Sequence, residues 1–163
     1  MNALIYTISL LISFLGIFIG VALSNIASEE LNSIAPYTSY LKSIIIGLIL
    51  FFSIHNYSVI LASIITVITI IILTFVKHSD KWIYASCGAL FYLSSKFNQL
   101  YTVSILIMLY GIILGTEGSI KFVKNKKLHM KDDIKSIQLL FENFVLYLAV
   151  AVLFYIAFEF IIL

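Results

Sequence analysis

Apolar residues fill six stretches of the chain, at about 3–24, 36–54, 58–76, 82–95, 100–116 and 138–162, with polar breaks between them. Runs of this length predict membrane-crossing helices, because a helix satisfies its own backbone hydrogen bonds inside lipid. The expected fold class is an all-α integral membrane protein, a six-transmembrane-helix bundle forming one domain over residues 1–163. The fourth stretch, Trp82 to Ser94, is shorter than the roughly 17–25 residues usual for a span, so a re-entrant segment or local thinning of the bilayer stands as its alternative.

In the first stretch Ser9, Ser13, Gly16, Gly20 and Ser24 recur at steps of three or four, which puts them on one nearly smooth helix face. Small residues let helix backbones approach closely in lipid, where hiding apolar side chains gains little, so this face is read as a packing surface. Gly111 and Gly115 repeat the spacing in the fifth stretch, and GIILGTEGS there matches GIFIGVALS of the first at Gly, Ile, Gly and Ser. A parallel internal repeat would explain the match; coincidence among residue types common in membrane helices explains it more simply.

The first polar break, SEELNSIAPYTSYLK, is neither apolar enough to span nor polar enough to be free loop. Acids at a helix C-terminus oppose its dipole, so Glu29 and Glu30 fit better in the first turn of a new short helix capped by Ser28 and ended by Pro36. An interfacial elbow is therefore expected at 28–35. The tight connections around His55–Tyr57 and Ser95–Gln99 make spans two and three, and four and five, antiparallel neighbours.

Composition supports the membrane class: 62% of the 163 residues are hydrophobic, 11% are charged, and the mean hydropathy is +1.11. A soluble domain of this size could not coat itself with so few polar side chains. All ten basic residues are lysines. With six spans nine of them fall on one side and Lys96 alone on the other, whereas removing the fourth span gives six against four. The positive-inside rule thus favours six spans in the cell membrane with both termini outside. Tyr37, Tyr40, Trp82 and Tyr84 would lie near the inner interface, and Tyr57, Tyr92 and Tyr101 near the outer one.

The only substantial polar segment, 117–136, carries six lysines against Glu117, Asp132 and Asp133, a local balance of +3. It is expected to be a cytoplasmic loop that fixes topology, with Lys121, Lys124, Lys126 and Lys127 close to anionic headgroups at about 1 kcal/mol each. Membrane lipids are accordingly expected contacts, together with a second copy or another membrane protein; no nucleic acid is expected.

Catalytic and metal-ligand patterns are missing. His55, His78 and His129 fall in three separate connections, the lone Cys87 lies in an apolar segment, and no GxSxG, HExxH or phosphate-binding glycine loop occurs. No enzyme activity, cofactor or metal is therefore expected. The remaining chemistry is a set of ionisable and amide groups at membrane depth, which are costly there and so are functional candidates. Asn25, Glu117, Glu142 and Asn143 all map to the inner half and could bind a cation or relay a proton if spans one, five and six meet. The plainer reading has each glutamate reach the interface or pair with a lysine such as Lys121 or Lys135.

The run LGIFIGVALSNIASEEL, with Pro36 soon after, resembles the opening of small archaeal multi-pass membrane proteins of uncharacterised function. In those a glycine-containing first helix leads into an Ile-Ala-x-Glu-Glu-Leu elbow, here Ile26, Ala27, Ser28, Glu29, Glu30 and Leu31. The resemblance implies a membrane class and no activity. Size and span count are also similar to the substrate-binding subunits of energy-coupling vitamin transporters, whose Ala-rich coupling motif has no clear counterpart here. Two functions follow as expectations: a structural or interaction subunit of a membrane assembly, or a small-solute or ion transporter using the inner polar cluster.

Overall fold

The computed structural model describes residues 3–26, 35–75, 80–124, 142 and 145–158, and among them it is all-helical. The helices are α1 (Ala3–Ile26), α2 (Thr38–Ile54) preceded by a 3-10 turn at Ala35–Tyr37, α3 (Val59–Phe75), α4 (Asp80–Lys96), α5 (Leu100–Lys124) and α6 (Val145–Phe158). Two stretches, Ala3–Ser24 and Leu100–Glu117, are long and apolar enough to cross a membrane; Thr38–Ile54, Val59–Phe75 and Val145–Phe158 are apolar and shorter.

Cross-helix contacts fix the direction of every helix. Gly16 lies against Met108 and Gly20 against Ile112, so α1 and α5 run parallel. Lys42 meets Asp80 and Ser53 meets Leu90, which sets α2 and α4 parallel; Tyr84 meets Tyr147 and Tyr92 meets Phe158, which sets α4 and α6 parallel. Ser13 reaches Tyr147 while Tyr6 reaches Ala151, so α1 opposes α6. Each helix therefore reverses the one before it. The turns at 55–58 and 97–99 sit together at one end, joined by Asn56 Nδ2 donating to the Phe97 carbonyl at 3.4 Å and by an edge contact between the Tyr57 and Phe97 rings. The ends of α1, α3 and α5 and the starts of α2, α4 and α6 form the opposite, lysine-rich end.

Local chemistry explains the turns. Ser58 caps α3, its Oγ accepting the Leu61 N–H at 3.4 Å, as a serine N-cap does for the third helical residue. At the end of α4, Asn98 takes the left-handed conformation (φ 58°), which lets the Gln99 N–H reach the Ser94 carbonyl at 3.1 Å and close the helix.

Two expectations change and one alternative closes. The fourth stretch is a 17-residue helix, rising about 25 Å, that runs beside α2 from Lys42–Asp80 to Ser53–Leu90 rather than turning back. The polar segment 117–136 does not begin as a loop, because α5 continues to Lys124 and places Lys121 and Lys124 where the helix dipole favours cations. Tyr84 and Tyr92, expected as interfacial aromatics, are buried inside the bundle at 0% and 2% exposure; Tyr84 lies two residues along the helix from the exposed Trp82 and so on the opposite face. The elbow residues Ser28, Glu29 and Glu30, and Lys126 and Lys127 of the polar segment, lie outside the described residues; Pro36 sits in the 3-10 turn that opens α2.

Candidate functional site

The small-residue face of α1 is spent inside the bundle. Ser9, Ser13 and Ser24 are buried, and a Cβ on Gly16 or Gly20 would strike the carbonyl of Met108 or Ile112. From the other side Gly115 faces the Ile17 carbonyl, and a Cβ on Gly111 would come within 3.1 Å of the Ile17 nitrogen. The two Gly-xxx-Gly segments thus meet face to face, backbone on backbone. The buried serines satisfy themselves on their own helices: Ser24 Oγ donates to the Val21 carbonyl and Ser13 Oγ to the Leu10 carbonyl, both at 2.7 Å.

This seam leaves room beside it for a core of phenols. Tyr84 on α4 stacks on Tyr110 of α5 with ring centroids 5.8 Å apart and tilts against Tyr147 of α6 at 5.1 Å, with Cys87 buried beside them. Tyr147 shares a 2.7 Å hydrogen bond with Ser13, and Tyr6 donates to the Ala151 carbonyl at 2.9 Å. The hydroxyls of Tyr84 and Tyr110 are buried without a hydrogen-bond partner among the described residues, as is that of Tyr92 nearer the turn end. An unsatisfied buried polar group costs about 1–3 kcal/mol, and native cores hold few of them.

Above the phenols, at the lysine-rich end, lies a charged cluster. Lys42 of α2 places its Nζ 2.9 Å from Glu117 Oε2 of α5 and 3.1 Å from Asp80 Oδ1 of α4, and Thr38 Oγ1 donates to Glu117 Oε1 at 2.5 Å. The side chains of Lys42 and Glu117 are 15% and 17% exposed, so the pair is largely withdrawn from solvent. Three helices supply these groups, and the parallel course of α2 and α4 with α5 antiparallel to both makes their ends converge. Tyr110, on the same helix as Glu117, is 0% exposed.

Of the four polar residues expected to cluster, Glu117 is held by Lys42 and Thr38, and Glu142 has an exposed side chain before α6. The side chains of Asn25 and Asn143 lie outside the described residues, as do those of Lys121 and Lys124. Lys42 and Asp80 were not among the expected site residues. Their signal was present: Lys42 interrupts an apolar stretch, and a cation withdrawn from solvent calls for an anionic partner. Among the described residues no group of three or more His, Cys, Asp or Glu could hold a metal ion. At the turn end Lys96 Nζ lies 5.4 Å above the Tyr92 ring, well apart from the charged cluster.

No protein family, curated protein or solved structure matches this chain.

Proposed function

We propose that the chain is a six-span integral membrane protein that moves a small solute or ion past the Lys42–Asp80–Glu117 cluster. The polarity of the bundle supports the membrane part of this reading: ten serines and threonines are buried while Ile60, Leu4 and Phe18 stand 73%, 62% and 56% exposed. A water-soluble bundle sorts these residues the other way. The parallel seam adds a topological reason, since α1 and α5 can cross in the same direction only if the chain crosses back an odd number of times between them, and α2, α3 and α4 provide three crossings. The lysine-rich end would then be cytoplasmic and both termini outside.

The observation that carries the transport reading is the convergence of two carboxylates and an ammonium from three helices over a core of buried phenols. Ionisable groups at membrane depth are costly to keep and mark solute and ion pathways. Flux in proteoliposomes tests it. Wild-type protein should move a small solute or ion, and Glu117→Gln should reduce that flux at least about tenfold while leaving the bundle folded. A wild-type protein that moves nothing would sink the reading.

The structural or interaction role is the second reading, and one observation favours it. Helix α3 buries only Ala62 and packs on α2 around Gly47, which leaves Ile60, Ile64, Val67, Ile68 and Ile71 exposed to lipid or to another protein. The face of α1, by contrast, is closed to any partner by α5.

A further inference from the structure

The turn end of the bundle holds a cavity of about 530 Å³ between the start of α1, the end of α4 and the start of α5, within the size range of small-ligand pockets. Lys96, Asn98 and Tyr101 give it a polar rim, and Ile5 and Leu100 an apolar wall. Ser95 also lines it, but its Oγ donates to the Tyr92 carbonyl at 2.6 Å and is used there. None of these residues is acidic. We propose that this cavity binds the headgroup of an anionic phospholipid from the outer leaflet, its phosphate toward Lys96 and Asn98 and one acyl chain along the α1–α5 seam. The proposal rests on the six-span reading, which places the turn end at the outer surface, and needs nothing from the transport reading.

Charge and shape together select this guest. Nine of the ten lysines fall on the inner side in the six-span topology, and Lys96 is the one cation kept where the positive-inside rule disfavours it. Its Nζ stands 5.4 Å above the Tyr92 ring, a cation–π distance that keeps the ammonium against the protein. The 25-residue helix α5 starts at the cavity with Leu100 and Tyr101, and the positive end of its dipole adds to the attraction for a phosphate. A free anion would need no more than this. Below the rim, however, Ile5, Ile8 and Ile12 are exposed on α1 and Tyr101, Ile105 and Leu109 on α5, at steps of three or four that make each set one row along its helix. Both rows start in the cavity, at Ile5 and Tyr101, and the two helices run parallel, so the rows descend together for about 10 Å from the rim toward the bilayer centre. A cation at the interface with paired apolar rows beneath it matches an anionic headgroup and its chain; neither a free phosphate nor a neutral lipid uses both halves.

Photolabelling of the full chain in nanodiscs tests this, with phosphatidylglycerol or phosphatidylcholine carrying a diazirine in the acyl chain and the labelled residues read by mass spectrometry after proteolysis. Label from phosphatidylglycerol should exceed that from phosphatidylcholine by at least about threefold over 5–12 and 101–109, the order expected of one lysine beside an anionic headgroup, and should not exceed it at the exposed Ile60, Ile64 and Val67 of α3. Lys96→Gln should bring the enrichment down to the α3 level, and Lys96→Arg should retain it. Glu159 follows Phe158, whose ring stacks on Tyr92, and lies outside the described residues. Glu159→Gln should not lower the enrichment, and a loss there would count against an anion site. Equal label from the two lipids at both segments, or an enrichment that Lys96→Gln leaves intact, would overturn the proposal. No label on α3 from either lipid would overturn the six-span reading and the site with it, whereas label on α3 without enrichment along the two rows would remove the site alone.

Discussion

Tyr84 and Tyr147 sit with ring centroids 5.1 Å apart in the same core, but their hydroxyls have different circumstances. Tyr147 bonds Ser13 across to α1, while the Tyr84 hydroxyl has no partner among the described residues. Tyr147→Phe should therefore cost about 0.6–1.5 kcal/mol in reversible unfolding, the range of a net interhelical hydrogen bond. Tyr84→Phe should be neutral or stabilising; an equal cost for both would mean that Tyr84 is paired in the folded protein. These positions show what the sequence displays at residue scale. Trp82 and Tyr84 read alike as interfacial aromatics, yet only Trp82 is exposed, because hydropathy ranks a tyrosine by its type and not by the side of the helix it occupies. Glu117 stood out as a charge at membrane depth, but the identity of its lysine did not, since Lys42 lies 75 residues away in the chain.

At the scale of elements, the small-residue periodicity of α1 was plain, and so was its echo at Gly111 and Gly115. Periodicity defines a face and is silent about what covers it, whether a second copy, a partner or a later helix of the same chain. The structure closes the face with α5. Gly16→Ala would drive a Cβ into the Met108 carbonyl, a backbone atom that cannot move without its helix, and should cost about 1–3 kcal/mol or more. At Gly47 the nearest atoms belong to the Ile70 side chain, at 2.5 and 2.6 Å, and not to a backbone carbonyl that moves only with its helix. Gly47→Ala should therefore cost less, and comparison of the two unfolding transitions checks the ranking; a smaller cost at Gly16 would argue against the backbone seam. The fourth helix was legible in place and uncertain in kind, since the stretch 82–95 understates an element whose polar ends, Asp80 and Lys96, are also helical.

For the whole molecule, the proposed six-span topology draws on the lysine count and needs the helices to alternate in direction. The count compares charges on the two sides of a membrane; the geometry follows from which residues touch, and it requires strict alternation of the six helices. Alternation brings the charged ends of α2, α4 and α5 together, so the candidate site depends on the topology being right. Single cysteines in a Cys87→Ala background test that directly. At the exposed positions Asn56 and Asn98, one in each short turn, a membrane-impermeant maleimide should react from the outside of intact cells, whereas at the exposed Glu142 it should react only in inverted vesicles. Labelling of positions 56 and 142 from the same side of the membrane would contradict the six-span bundle and the site built on it.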